Sequence, residues 1–248
     1  YITWQIKQQI NFSLKNQIYY SSMLMREYLS KSYLFHLNNN TADILRNVNA
    51  SGAIIFSSMY ISAFQLLTEI VTAFMIWMML VFVDPFTAIV AAGFLVLMLY
   101  IIIKAFRKKI TEQGKIQNLY SAQYLKWVNQ GLGAIKETKV LRKEKFFLES
   151  FTESYNKYGN ANRVFLFFNQ LPRTIIEAAV VTGLLLLIII KIALGTSPTE
   201  IVGVLGVLAL AAFRLMPSAN RIVNLSNNIK FNMPFFNQLY EELINIKN

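Results

Sequence analysis

The 248-residue chain is 55% hydrophobic and only 15% charged, with a mean hydropathy of +0.41, where an ordinary soluble domain carries about 25% charged residues. With no cysteine and one histidine, His36, thiol nucleophiles, paired-cysteine redox centres, zinc fingers and two-histidine metalloprotease sites are excluded. A net charge of +11 would suggest nucleic acid in a soluble protein, but in an apolar one it marks the faces of the spans that stay inside. Eleven basic residues lie between Lys104 and Lys145 against three acids, Glu112, Glu137 and Glu144, so that one window holds eight of the eleven net charges. The block is tied to span ends, so nucleic acid is not an expected partner.

In chain order, the apolar stretches predict helices over 1–35, 53–83, 86–130, 149–194 and 198–245. The polar connections fall at 36–48 and 133–147. Crossing about 30 Å of hydrocarbon takes roughly 20 helical residues. Residues 1–35 mix Tyr, Phe, Leu and Met with Lys7, Lys15, Arg26, Glu27 and Lys31, which suits a partial span packed against others. The stretch 53–83 is the first full span, and Phe86 to Ile103 is eighteen residues without a charge. Thr174 to Leu194 and Ile201 to Pro217 complete the set, interrupted by Glu177, Lys191 and Arg214. No proline lies between Pro85 and Pro172, so the helix that starts at 86 is expected to run on to about 130, roughly 68 Å at 1.5 Å per residue. The fold class is therefore an all-α membrane protein with long helices extending into the cytoplasm.

With the basic block inside, the turns at Val83-Asp84-Pro85 and Gly195 to Glu200, which hold acids and no Lys or Arg, fall outside, and the C-terminus is inside. Asp84-Pro85 is a turn signal with proline preset for the next helix. Arg107-Lys108-Lys109 is a snorkelling anchor, and His36, in an inside connection, has an expected structural role. Tyr1 is not an initiator methionine and sits partway down a helix, as in a chain that has lost an upstream span.

Polar residues recur inside the apolar helices. Ser58, Ser62, Gln65, Glu69 and Thr72 follow at 4-3-4-3, which places all five on one helix face. Arg214, Ser218, Arg221, Asn224 and Asn228 repeat at 4-3-3-4, and Gln170, Arg173 and Glu177 at 3-4. Ionisable residues inside a span cost about 2.5 to 3.5 kcal/mol each on insertion scales and face a bundle interior or a water-filled cavity. Either they bond helices together, or neutralise each other along one helix as an Arg173–Glu177 pair at i,i+4 would, or they face a polar passenger. Arg214 and Arg221 have no acid within four residues, and a guanidinium fork matches phosphate oxygens in two places at once.

Leu34-Phe-His-Leu-Asn-Asn-Asn-Thr-Ala-Asp-Ile-Leu-Arg-Asn47 resembles the first intracellular loop of ABC exporters with the type I transmembrane domain, where such a segment forms a coupling helix; Asn40 with Asp43 would cap it. Gly133-Ala-Ile-Lys-Glu-Thr-Lys-Val-Leu-Arg-Lys-Glu-Lys-Phe-Phe147 is similar to the second loop of that family. Phe213-Arg-Leu-Met-Pro-Ser-Ala-Asn-Arg221 closely resembles the last helix of bacterial lipid-linked oligosaccharide flippases, ABC transporters that move glycans on undecaprenyl diphosphate, and Leu171-Pro-Arg-Thr-Ile-Ile-Glu177 looks like their fifth helix.

The resemblance implies that residues 1–248 are a partial ABC transmembrane domain, helices two to six, lacking the first helix and the ATP-binding domain. Arg173, Arg214 and Arg221 take the place of arginines implicated in handling the diphosphate. Ser218, Glu69 and Gln65 join them on the polar faces as substrate-facing candidates. Asn40, Thr41, Asp43 and Ile44, with Leu141, Arg142, Lys143 and Glu144, are the expected coupling residues. No phosphate loop is present, so the chain is expected to carry no catalytic site, metal or cofactor of its own; ATP and Mg would belong to a nucleotide-binding domain, fused or separate, in a homodimer in the bacterial inner membrane. The implied activity is ATP-driven flipping of a lipid-linked glycan. An exporter of peptide, drug or another lipid is the alternative, and a membrane sensor or scaffold a more distant one.

Overall fold

The computed structural model describes residues 2–39, 41–83, 85–193, 195 and 198–247; side chains not described lie mostly in 198–214. Every regular element among them is helical. In order these are α1 (Ile2–Ser30), α2 (Tyr33–Asn38), α3 (Thr41–Arg46), two π-helical segments (Asn47–Ser51 and Ile54–Tyr60), α4 (Ile61–Val83), α5 (Pro85–Gly133), α6 (Ile135–Val140), α7 (Glu144–Ala193) and α8 (Pro198–Lys247). Among the described residues three helices are long and apolar enough to cross a membrane, Ile54–Phe82, Ala88–Gly133 and Glu144–Ala193. The fourth expected full span, 201–217, falls within α8, where most side chains lie outside the described residues.

Helix boundaries differ from the expected ones at both connections. α1 stops at Ser30, five residues early, because the backbone at Ser32 is extended (ψ 157°) and Ser32 starts the short helix α2. α5 persists to Gly133 and α7 begins at Glu144, so the second connection is much shorter than 133–147. At 49 residues, α5 is about 74 Å long at 1.5 Å per residue.

A third difference is conformational. An α-helix is expected from 53, but residues 54–60 are π-helical and the α-helix begins at Ile61. A π turn bonds i to i+5 and is rare outside functional or strained sites. Here the neighbouring helix supplies donors to its carbonyls. Ser21 Oγ donates to Val48 O at 2.9 Å, and Ser13 Oγ donates to Phe56 O. These serines are eight residues apart, two helical turns, on one face of α1. Gly52 lies between the π segments, and a Cβ there would come within 2.9 Å of Ser21 Oγ.

The chain divides into two compact units, each drawing on several helices. The first comprises Tyr1–Ser62, Lys109–Leu166 and Asn228–Asn248. Its core is Leu24, Tyr28, Ile55, Phe56 and Leu239, with Tyr20, Phe35, Ile44, Val48 and Leu243 packed around it. Within it α5 and α8 approach so closely at Gly114 that a Cβ would sit 2.0 Å from Phe231 O, while the Phe231 ring stacks on Phe165. The second unit comprises Ala63–Lys108 and Phe167–Asn227. Its core is Met98, Ile102, Ile176, Ala219 and Val223, and Trp77 Nε1 donates to Ala88 O at 3.2 Å. Large apolar side chains such as Met79, Phe82, Leu97 and Ile192 stand exposed on it. Such exposure is a liability in water and ordinary for helices whose outer faces meet lipid.

Candidate functional site

The expected substrate-facing residues do not form one set. In the second unit Arg221 Nε meets Glu69 Oε1 at 3.1 Å, with Arg221 62% exposed and Glu69 only 13%. The absence of a nearby acid in sequence did not leave this arginine unpaired, because α4 supplies the carboxylate from 152 positions away. Arg173 Nε pairs with Glu177 Oε1 at 2.9 Å, one turn along α7. In both pairs the carboxylate contacts Nε, on a mostly exposed arginine side chain. Each guanidinium is thus oriented while retaining donors. Ser218 is buried, unlike the arginines, whereas Gln65 is exposed as they are. The side chain of Arg214 lies outside the described residues.

The lower half of the α4 stripe belongs to the first unit and is consumed in bonding helices together. Ser58 Oγ donates to Asn228 Oδ1 at 3.2 Å, and Asn228 Nδ2 donates to Ser62 Oγ at 2.9 Å. Asn232 Nδ2 donates to Asn228 Oδ1 at 2.7 Å and to Ser58 Oγ at 3.3 Å. Thr72 Oγ1 donates to Thr68 O of its own helix. The regular spacing of polar residues therefore conceals two uses, a hydrogen-bonded seam around Ser58 and Ser62 and an oriented ion pair at Glu69. Asn232 extends the seam and was missed, although it lies one turn beyond Asn228, the last residue of the expected stripe.

The first connection is anchored through side chains. Thr41 is exposed, Ile44 packs against the core of the first unit, and Leu45, not among the expected coupling residues, is exposed. Asp43 Oδ1 lies 3.1 Å from Arg46 Nη2, and Arg46 Nη1 donates to Asn118 O at 3.4 Å. Arg46 is 2% exposed, with Nε buried and lacking an acceptor. Burial pulls its guanidinium below the ordinary arginine value, opposed by the charges of Asp43 and Glu242. Asn40, and with it the expected cap, lies outside the described residues. Beside α3 a cavity of about 410 Å³ is lined by Asp43, Arg46, Lys115, Asn118, Lys126 and Gln238 among others.

Behind α3 lies a buried group that the sequence did not signal. Asn47 Nδ2 donates to the Tyr28 hydroxyl at 3.2 Å, and that hydroxyl donates to Glu242 Oε1 at 2.9 Å. Asn47 and Tyr28 are 0% and 2% exposed. Tyr28 sits among the charged Arg26, Glu27 and Lys31, and burial raises its phenol well above the ordinary range. His36 Nε2 lies 3.0 Å from Tyr28 O, a structural contact. Residues 28, 47 and 242 share no local pattern, so only the tertiary fold could bring them together.

The second connection is tied through its backbone. Thr138 Oγ1 donates to Ala134 O at 2.9 Å and to Gly131 O at 3.1 Å, and Lys143 N donates to Thr138 O at 2.9 Å. Arg142 takes φ 50°, a left-handed conformation that costs an L residue about 1 to 2 kcal/mol. Glu144 opens α7 and pairs with Lys139 at 3.1 Å. Leu141, Arg142, Lys143 and Glu144 are all exposed, together with Leu132, Ile135 and Val140. Below this tip, Trp127 meets Phe146 and Phe147 edge-on, and Tyr124 meets Phe151, Tyr155 and Tyr158. The expected coupling residues thus occur as an anchored short helix and an exposed turn between two long helices. The family model for the ABC transporter transmembrane region matches residues 13–213.

Proposed function

As the chain belongs to the ABC transporter transmembrane family, a family of multi-pass membrane domains that pair with nucleotide-binding domains, we propose that it is the transmembrane part of an ATP-driven exporter that flips a lipid-linked diphosphate oligosaccharide across the bacterial inner membrane. The observation that carries the reading is the pair of arginines held through Nε. Arg221 and Arg173 are oriented by Glu69 and Glu177 through Nε, and a guanidinium held this way has further donors that suit phosphate oxygens arriving from outside the pair. Arg214, on the same sequence motif, joins them in this reading. Such preorganisation lowers the cost of ordering the site around its passenger.

In this mechanism two copies of the domain form the working unit, with both connections and the basic block at 104–145 on the cytoplasmic side. ATP and Mg act in the partner nucleotide-binding domains. α5 and α7, with their aromatic contacts near the tip, serve as stiff levers. The exposed tip from Leu141 to Glu144 and the helix at Thr41, Asp43 and Ile44 receive the push of the partner domains, and the motion alternates access to the arginines. The isoprenoid tail stays in lipid while the diphosphate head travels.

The test is reconstitution of the full-length protein in proteoliposomes. Arg221→Ala and Arg214→Ala are each expected to lower flipping of a lipid-diphosphate glycan at least tenfold while basal ATP hydrolysis stays within twofold. Unchanged flipping in both would remove the diphosphate role. The two ion pairs also favour a second reading, in which Arg221 bonds α8 to α4, Arg173 is neutralised along α7, and the cargo is a drug, peptide or other lipid. Stimulation of ATP hydrolysis by hydrophobic drugs, with none by lipid-linked glycans, would decide for it.

A further inference from the structure

α3 is six residues long, too short to hold a helical conformation or an orientation alone. It runs straight into the π-helical segment Asn47–Ser51. Its direction must therefore come from tertiary contacts. Two consecutive residues at its end reach toward α8 through intermediaries. Arg46 donates to Asn118 O, and the Asn118 side chain donates to Gln238 Oε1 at 2.7 Å. Asn47 donates to the Tyr28 hydroxyl, which donates to Glu242 Oε1. Gln238 and Glu242 are four residues apart, adjacent turns on one face of α8.

The two links differ in quality. The Arg46 bond, at 3.4 Å, lies beyond the usual hydrogen-bond range. The tyrosine link, at 3.2 and 2.9 Å, is buried, and one hydroxyl both accepts and donates. Its acceptor is a carboxylate, which makes that bond the stronger kind.

We infer that Tyr28 is a positioning residue for energy coupling: its hydroxyl pins the end of α3 to α8, so that a push on α3 moves α8 instead of bending the connection. This rests on the ATP-driven reading above. The aromatic ring belongs to the core cluster with Leu24, Ile55, Phe56 and Leu239, so Tyr28→Phe removes the pin and leaves the packing.

The experiment uses the full-length protein, with any cysteine outside residues 1–248 replaced, and spin labels on cysteines introduced at Leu45 and Tyr240, two exposed positions in a stretch with no cysteine of its own. Tyr28→Phe is expected to at least double the width of the distance distribution between the labels. In proteoliposomes it is expected to lower cargo moved per ATP hydrolysed at least fivefold, with hydrolysis within twofold of the parent. Glu242→Gln keeps an acceptor oxygen and is expected to stay within twofold of the parent in both readouts. An unchanged label distribution in Tyr28→Phe overturns the pin, and so does a parallel fall in hydrolysis and transport, which is what lost stability alone would give. If the parent moves no cargo with ATP, the reading of function fails, and the label distribution still decides whether Tyr28 holds α3 to α8.

Discussion

The two connections in the first unit carry the same expected role and are built in opposite ways. The first buries its far end: Ile44 packs against the core and Arg46 and Asn47 are inaccessible, while residues 36–39, Thr41 and Leu45 stay exposed. The second exposes its side chains and is held by Thr138, by the main chain and by aromatic contacts lower on α5 and α7. A short helix between a core and a π-helical segment has no stiffness of its own and takes it from side chains. The second connection also holds a six-residue helix, α6, but it is bounded by two helices of 49 and 50 residues, inherits stiffness from them and leaves its exposed residues available to a partner. The lesson is that substitutions in the first connection act on folding and transmission together, whereas those in the second separate the two.

The largest expected effect falls on what holds α8 beside α5. In Gly114→Ala the new Cβ would meet a backbone carbonyl oxygen at 2.0 Å, which cannot swing aside. The loss of stability is expected to be about 3 kcal/mol or more, the range of severe overpacking, read as a fall in melting temperature in detergent or as failure to accumulate. Next come paired substitutions that set the two connections directly against each other. Ile44→Ala is expected to cost about 2 kcal/mol, as a partly buried core truncation, and to impair hydrolysis and transport alike. Leu141→Ala is expected to change stability by less than about 0.5 kcal/mol and to impair only cargo-linked hydrolysis. Equal stabilities for these two variants would break the contrast.

Thr138→Val, which keeps shape and loses the two hydroxyl bonds to Gly131 O and Ala134 O, is expected to cost about 1 kcal/mol, measurable as faster proteolysis at the tip. The raised phenol of Tyr28 adds a pH dependence. A group that stays protonated longer in the folded state stabilises it fully below the unfolded tyrosine value, about 10, and that contribution declines as pH rises above it, since the unfolded chain then binds fewer protons. Melting followed from pH 9 to 11 is expected to fall more steeply in the parent than in Tyr28→Phe. The smallest effect belongs to Arg142→Asn. Asparagine tolerates the left-handed region better, so a gain below about 1 kcal/mol is expected, read as a small rise in melting temperature in detergent.

Much of the fold was legible in the chain. Apolar runs separated by polar connections located the long helices, and the lack of proline from 86 to 171 let α5 continue far beyond the hydrocarbon thickness. Boundaries were less legible. Nothing in Leu29-Ser30-Lys31-Ser32 forbids helix, and the break at Ser32 follows from the way α2 folds back, with His36 against Tyr28 O. The π-helical stretch was invisible, because its stabilising donors, Ser13 and Ser21, sit on another helix. Among site residues, the Arg173–Glu177 pair could be read from its four-residue spacing. Pairing Arg221 with Glu69 could not, since helical periodicity says which residues share a face and nothing about which face meets which.

Composition, charge placement and hydrophobic periodicity by themselves determined that this is an all-helical, multi-pass membrane domain with one strongly basic region, because solvation by lipid or water acts on each segment separately. Tertiary structure alone decided how the polar residues were spent, as a seam at Ser58 and Asn228, an oriented pair at Glu69 and Arg221, and a buried junction at Tyr28. Those choices depend on interactions between residues up to 214 positions apart, whose energies exist only once the helices have packed.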